Sequence, residues 1–336
     1  MPLISTRGAA SSRGFGYLGA AGAASYALVS TGVQSNVSRL IIESQGSGEF
    51  WGNLNSWPSQ GYYAGGQAGN TTKGYVVGGL DFGGGPNSGY NLGQLRYFTY
   101  ATSGNSVYNS ELSASKTGSS APTGNNNTRG VSMIGSNYPI TLFPIVPIEY
   151  WTTATGGSVG SFGSMTGTYG AGAGQAVFNN TRMICAGGNK GQFGGGDTPI
   201  SSMNYITTAT TGNSSFFGNI SRGATFGTLH SAASDTRGLF AGAAITSGSY
   251  SGIDEITIGT TGNTAAYSNL TVAIGGRAGG TSNTKTALFF TDASAVEKFT
   301  IASTATATAW GAIAGFNFPG YGFIGSPCAA NAGNTL

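Results

Sequence analysis

Hydrophobic positions recur along this chain in six ungapped copies of an eighteen-residue pattern, opening at Val37, Leu95, Ile148, Met203, Ile253 and Val296. The first residue of each copy is aliphatic or Met. So is the last: Leu54, Leu112, Met165, Ile220, Leu270 and Ile313. An aromatic stands at the fifteenth position or, in the second copy, one residue before it: Trp51, Tyr108, Phe162, Phe217, Tyr267 and Trp310. Between these points lies a β-rich alternating run such as Tyr205-Ile206-Thr207-Thr208. A turn signal follows it at Gly46, Gly104-Asn105, Gly156, Gly212-Asn213 and Gly262-Asn263. A β-branched run, a tight Gly/Asn turn and a second run with an aromatic predict a hairpin. The spacing of the copies, 43 to 58 residues, suits propeller blades or solenoid turns.

A second element precedes each hairpin, in which Ser or Thr and a basic residue lead into a short apolar strand that usually closes on Gly. It reads Ser12-Arg13-Gly14-Phe15, Thr72-Lys73-Gly74-Tyr75, Thr128-Arg129-Gly130-Val131, Thr181-Arg182-Met183-Ile184, Thr236-Arg237-Gly238-Leu239 and Thr284-Lys285-Thr286-Ala287. Asn127, Asn180, Asp235 and Asn283 stand ahead of the basic residue, where Asx side chains favour a turn. Each unit therefore reads strand, turn, apolar strand, variable loop, hairpin, and the hairpin supplies the third and fourth strands of a blade.

An apolar strand ending in Gly78-Gly79 or Gly187-Gly188, then Tyr97, Tyr150 or Tyr205, then an aromatic a dozen residues on (Tyr108, Phe162, Phe217), resembles the kelch repeat. That likeness implies a β-propeller of four-stranded blades. The Thr-Arg-Gly strands, the Ala-Thr-Thr-Gly-Asn hairpins and the opening Ile4-Ser5-Thr6-Arg7-Gly8-Ala9-Ala10-Ser11-Ser12-Arg13-Gly14-Phe15-Gly16 are similar to virion structural proteins of tailed phages, marine and cyanobacterial ones above all. The fold expected is an all-β, kelch-like propeller of six four-stranded blades, with seven as the alternative. A seventh apolar segment, Gly320-Tyr321-Gly322-Phe323-Ile324-Gly325, lacks the Thr-basic pair and is read as the first strand of blade one. It would return to pair beside Phe15–Leu18, closing the ring and removing two exposed strand edges. The implied organisation is an N-terminal arm over 1–11 for virion docking, a single propeller over 12–327 and a C-terminal tail over 328–336.

Composition changes this picture in one respect. Charged residues are 7% of the chain, where about 25% is typical, so solubility rests on Ser, Thr, Asn and Gly. A net charge of +3 without a Lys/Arg block gives weak steering and no footprint for nucleic acid. The start Met1–Arg7 has no signal-peptide pattern, and no apolar run reaches the roughly eighteen residues of a membrane span. Cys185 falls in blade four and Cys328 beside blade one, across the expected ring, so both thiols are expected to be free.

Candidate chemistry is sparse. Glu149, Asp254 and Glu297 share the second position of their copies, which spreads them around a ring rather than gathering two on one glycosidic bond. His230 is the single histidine and is expected to be satisfied by backbone. No metal-ligand spacing, cofactor motif or nucleophile elbow occurs. Arg13, Lys73, Arg129, Arg182, Arg237 and Lys285 are expected to form a basic ring at the hairpin-turn end, bonding turn carbonyls or the neighbouring blade, with polyanion binding as the alternative. The opposite end collects loops of variable length, and binding residues are expected there: Tyr90, Asn91, Tyr138, Phe143, Phe193 and Tyr250. The loop Ser136 to Pro147, with Tyr138, Ile140, Leu142, Phe143, Ile145 and Val146, is apolar enough to need a cover, either the propeller face or another subunit.

The expectation for function is a non-enzymatic virion protein mounted on a tail, neck or capsid surface, partnered by other virion proteins and made in the host cytoplasm without a leader. A receptor-binding module of a tail fibre, contacting cell-surface glycan, is the alternative. A glycan hydrolase ranks last.

Overall fold

The computed structural model describes residues 25–30, 36–44, 46–54, 62–81, 91–113, 123–126, 128–133, 147–166, 174–188, 200–224, 229–242, 250–274, 279–292, 295–313 and 329–331. All regular structure among them is β-strand. Blade one contains β1 (Tyr26–Ser30), β2 (Asn36–Ile41) and β3 (Glu49–Asn53). Blade two contains β4 (Tyr62–Gly69), β5 (Lys73–Asp81), β6 (Asn91–Thr99) and β7 (Val107–Glu111). Blade three contains β8 (Thr123–Asn125), β9 (Arg129–Ser132), β10 (Pro147–Thr152) and β11 (Gly156–Ser164). Blade four contains β12 (Gln175–Phe178), β13 (Arg182–Ala186), β14 (Ile200–Thr207) and β15 (Ser215–Ala224). Blade five contains β16 (His230–Ala233), β17 (Arg237–Ala241), β18 (Tyr250–Thr257) and β19 (Ala265–Ile274). Blade six contains β20 (Gly279–Ser282), β21 (Thr286–Asp292), β22 (Ala295–Thr300) and β23 (Thr308–Ala312), and β24 (Ala329–Asn331) follows.

These strands make six antiparallel four-stranded sheets, five of them running in chain order. The sixth is β24-β1-β2-β3, so the last strand is the first strand of blade one. The first strands of successive blades touch in the cyclic order β24, β4, β8, β12, β16, β20 and back to β24. The molecule is a six-bladed β-propeller.

The core is divided among blade junctions. Val177, Ile184, Met203 and Phe217 of blade four pack with Leu229, Phe240 and Ile256 of blade five. Equivalent clusters join blades five and six, six and one, one and two, three and four, and two and three. A sheet buried on both faces needs apolar residues on both, which is why the second strands read as continuous runs such as Met183-Ile184-Cys185-Ala186, all buried.

Ring closure occurs by the expected device at a different place. Ala329–Asn331 pair antiparallel with Val29, Leu28 and Ala27. The predicted pair, Gly320–Gly325 with Phe15–Leu18, lies outside the described residues, as do the arm 1–11 and Cys328. The second strand of blade one is the run Tyr26-Ala27-Leu28-Val29-Ser30, whose middle three residues are buried. It is apolar without the Thr-basic lead, so a search for that lead passes over it. Residues 329–331, assigned to a tail by the sequence, are part of the sheet.

All six hairpins carry a β-bulge at one place. The register shifts between the first and second positions of each copy, as at Ile253/Asp254, where Ile253 faces Ser268 and Asp254 faces Ala266, leaving Tyr267 as the extra residue. The same shift occurs at Val37/Ser38, Leu95/Arg96, Ile148/Glu149, Met203/Asn204 and Val296/Glu297. A bulge re-aims its extra side chain, and here it turns the motif aromatic toward the following blade. Blade two corrects the sequence alignment. Its extra residue is Asn109, while Tyr108 points outward and is 49% exposed.

Candidate functional site

The hairpin-turn end of the propeller concentrates the repeated polar chemistry. Each turn from first to second strand is capped by a side chain three residues before the basic position. Asn70 Oδ1 accepts from the amides of Thr72 and Lys73, both at 2.8 Å. Asn126 does so from Thr128 and Arg129, Asn179 from Thr181 and Arg182, and Asn283 from Lys285 and Thr286. In blade five Ser234 Oγ accepts from Arg237 at 3.1 Å. These are Asx and Ser turns, but the cap in three blades sits one residue earlier than the sequence suggested, at Asn126, Asn179 and Ser234 rather than Asn127, Asn180 and Asp235. An oxygen reaching two amides in succession needs two intervening residues, not one.

The basic side chains that follow reach across to the next blade. Lys73 Nζ donates to Ala154 O at 3.1 Å, Arg129 to Ala209 O at 2.8 Å, Arg182 to Gly259 O at 2.7 Å and Arg237 to Ile301 O at 2.7 Å. Each acceptor opens the third-to-fourth-strand turn of the following blade. On the way the cation lies over an aromatic ring of its own blade: Tyr97, Tyr150, Tyr205 and Tyr267, at 4.4 to 4.8 Å from the ring centres. Arg237 also pairs with Glu255 at 2.7 Å.

The ring differs from six equivalent cations. In blade one Tyr26 stands at the basic position, since it faces Ile41 as Arg237 faces Thr257. Arg13 lies outside the described residues. The cation is supplied instead by Arg39 on β2, stacked 4.5 Å over Tyr26 and 3.6 Å over Trp51, and donating to Tyr100 O of blade two at 2.9 Å. Base and aromatic have exchanged strands while the clamp is kept. In blade six the equivalent position is Thr286, which faces Thr300, so Lys285 is one residue out of register and belongs with the threonines of the other blades. No clamp of this kind leaves blade six among the described residues.

A second seam element lies beneath the clamps. The third-to-fourth-strand turn of one blade pairs with the fourth strand of the blade before it. Gly212 N donates to Phe162 O (2.8 Å), Ser214 N to Ser164 O (3.0 Å), and Ser164 N to Asn213 Oδ1 (3.0 Å). The same three bonds recur between blades one and two (Gly104, Ser106, Asn105) and four and five (Gly262, Thr264, Asn263). This close approach explains the residue after the bulged aromatic. A Cβ on Gly52, Gly163 or Gly218 would stand 1.8, 2.1 and 2.0 Å from the carbonyl oxygens of Gly104, Gly212 and Gly262. Where that position is Ser268, its hydroxyl donates to Ala305 O at 2.8 Å instead. An aromatic followed by Gly in four of six copies was the available signal, and the sequence reading did not use it.

The three repeated acids bind the preceding blade. Glu149 Oε1 accepts from Ser113 N at 2.7 Å, Asp254 Oδ2 from Ser221 Oγ, and Glu297 from the amide (2.9 Å) and hydroxyl of Thr271. The bulge explains their burial, because it turns a second position that strict alternation would expose inward to the seam. His230 is fully buried at the inner end of blade five, where Nδ1 pairs with the Gly279 backbone (2.7 Å to the carbonyl oxygen) and the ring packs edge-on against Phe289. Loss of solvent lowers its pKa to about 4 against a smaller opposing effect of the Gly279 bond, so the ring is neutral at pH 7. Cys185 is a buried free thiol in β13, pushed up by desolvation.

A groove of about 450 Å³ opens between blades six and one, lined by Glu43, Lys298, Thr300, Ser303, Thr306 and Thr308 and floored by Trp310. At the other end of the propeller, Asn91 and Tyr250 begin the third strands β6 and β18. Tyr250 is half-buried, with its ring over Gly252, where an added Cβ would meet it at 2.1 Å. Tyr90, Tyr138, Phe143 and Phe193, with the apolar loop 136–146, lie outside the described residues.

No protein-family model matches the chain, and comparison with curated proteins returns no match.

Proposed function

We propose that this chain is a non-enzymatic structural protein of a tailed-phage virion, a propeller appendage of the tail, neck or capsid surface that contacts other virion proteins. The observation that carries the reading is that the repeated polar groups serve the seams: the clamp cations, the repeated carboxylates and the turn amides bond an adjacent blade, at its backbone except for Asp254, which takes the Ser221 hydroxyl. A scaffold stiffened in this way, with 7% charged residues, suits a particle component, and the residue likeness to phage structural and kelch-like proteins supplies the viral context. A second reading, attachment to host glycan or receptor, is favoured by the position of Asn91 and Tyr250 at the loop-bearing end, where rigid strands deliver variable loops.

Locating the polypeptide by antibody labelling in electron micrographs of intact particles tests the first reading, and particles devoid of label overturn it. A glycan array with a turnover assay on the purified protein separates the others. Binding without product supports attachment, and released sugar defeats the non-enzymatic assignment.

A further inference from the structure

We propose that the groove between blades six and one is a binding site for a carboxylate-bearing sugar unit, with Lys298 receiving the carboxylate. The inference rests on the seam geometry, is independent of the virion reading, and concerns the end of the propeller opposite the loops.

Lys298 occupies the third position of its copy, where blade one carries Arg39. Arg39 is held by Tyr26 and Trp51 and by Tyr100 O of the next blade. Blade six has the counterpart of Trp51 in Trp310, but Lys298 is not stacked on it. Thr286 replaces the supporting aromatic, and the equivalent acceptor, Ile42 O, takes the indole N–H of Trp310 at 3.3 Å. The Lys298 ammonium therefore has no hydrogen bond or ion pair among the described residues, although it lines the groove with Glu43. Glu43 keeps its charge but is held in the seam by Asn283 Nδ2 on Oε1 (2.6 Å) and Ser25 N on Oε2 (3.2 Å), and forms no ion pair with Lys298 among the described residues. Each of those oxygens keeps a lone pair for a further donor.

The remaining lining sets the ligand class. The hydroxyls of Thr300, Thr306 and Thr308 have no partner among the described residues, and Trp310 is 1% exposed, so the walls present hydroxyls and the methyls of Ala305 and Ala309 rather than a stacking face. A volume of about 450 Å³ lies within the range of small-molecule sites. A bare anion would leave most of it empty and the hydroxyls unmatched, while a neutral sugar would leave the ammonium without a direct ion pair. Glu43 repels any anion, a phosphate dianion about twice as strongly as a carboxylate, so a monoanionic carboxylate placed at Lys298, with the ring hydroxyls of its sugar turned toward Glu43 and the threonines, fits the lining better.

The test is titration of the full chain with D-galacturonate and N-acetylneuraminate by ligand-observed NMR, with glucose, acetate and glucose 6-phosphate as the other arms. At least one acidic sugar should bind more tightly than all three. Lys298→Met should weaken that binding by about ten-fold or more, and Lys298→Arg should keep it within about three-fold, since a charge-assisted contact is lost in one and kept in the other. Should Lys298→Met unfold, Lys298→Gln serves the same purpose. Absence of binding by both acidic sugars, binding indifferent to Lys298→Met or Lys298→Gln, or equal binding of acetate or glucose 6-phosphate would each overturn the proposal.

Discussion

The junction between blades three and four and the junction between blades six and one join the same parts by different means. At the first, Arg129 clamps Ala209 O, the turn of blade four adds backbone bonds along β11, and Thr166 exchanges bonds with Ser214, its amide donating to Oγ and its hydroxyl to the carbonyl, both at 2.8 Å. At the second, no turn-to-strand backbone bond occurs among the described residues. The contacts are Trp310 on Ile42 O, Asn283 on Glu43 and Ser25, and an apolar cluster of Val29, Leu40, Leu288 and Phe290 with their neighbours. Connectivity is the same at both, since the chain passes from β11 into β12, the first strand of blade four, and from β23 into β24, the first strand of blade one. What sets blade one apart is internal: its first strand β24 and second strand β1 come from opposite ends of the chain and are joined by pairing, so the ring is closed inside this sheet and not by a clamp at its edge. The apolar cluster and the bonds of Trp310 and Asn283 carry the junction without a sixth clamp, and the groove there holds an ammonium with no partner among the described residues.

The largest effect should come from removing that strand. A chain ending at Cys328 leaves the inner edge of β1 without the partner that Ala27, Leu28 and Val29 now have. Each net backbone bond is worth about 1 kcal/mol and each buried group left unpaired costs about 1–3 kcal/mol, so a loss of at least about 3 kcal/mol is expected in chemical denaturation. Self-association through the bare edge should accompany it in gel filtration. A truncated chain as stable as the parent would mean that clamps and cores hold the ring on their own, and that the β24–β1 pairing inside blade one is not what closes it.

This contrast was only half legible in the residues. The six hairpins, the four-stranded units and closure by a C-terminal strand follow from periodicity, because a repeated alternation with a turn at fixed offset leaves few ways to pair. Which strand closes the ring was not legible. Tyr26-Ala27-Leu28-Val29 carries the burial but lacks the lead that marks its five counterparts, and a search by motif settles on Arg13-Gly14-Phe15. The clamp shows the same limit: Arg39 performs the task from the adjacent strand, and only cross-strand register makes the two positions neighbours. The bulge had a trace in sequence, an aromatic followed by Gly or Ser, but alternation alone assigns Tyr108 inward where the extra residue is Asn109. As for candidate binding residues, the sequence directed attention to the loops, and the groove at Lys298 is formed by the blade-six hairpin and Glu43 of blade one, which meet only because the ring closes.

A smaller effect isolates the turn-to-strand pairing. Gly163→Ala places a methyl 2.1 Å from Gly212 O, a backbone atom that moves only with its blade. Forced overpacking of this kind costs about 1–3 kcal/mol. Gly212→Ala, on the other side of the same contact, meets nothing within 4 Å and should stay within about 0.5 kcal/mol of the parent. Urea denaturation of the two variants decides it, and equal destabilisation would show that glycine serves backbone entropy at both positions rather than close approach at one.

The smallest effect is the sharpest on the comparison itself, because it changes one cation at each junction. Arg129→Met removes the bonds to Thr208 O (3.4 Å) and Ala209 O (2.8 Å) and the charge over Tyr150, while keeping an apolar stem of similar length. Bonds to charged donors are worth about 1.5–3 kcal/mol when buried, and Arg129 is partly exposed, so a loss of about 1 kcal/mol is expected. Lys298→Met removes a cation with no described partner and should change stability by less than about 0.5 kcal/mol in either direction. The salt response separates the two further. The parent's stability should fall slightly from low to high ionic strength, Arg129→Met should flatten that slope, and Lys298→Met should leave it in place, because only the clamped charge has an oppositely polarised partner to be screened from. If Lys298→Met were the more damaging, the ammonium would be holding the seam closed, and the closing junction would be a sixth clamped interface after all.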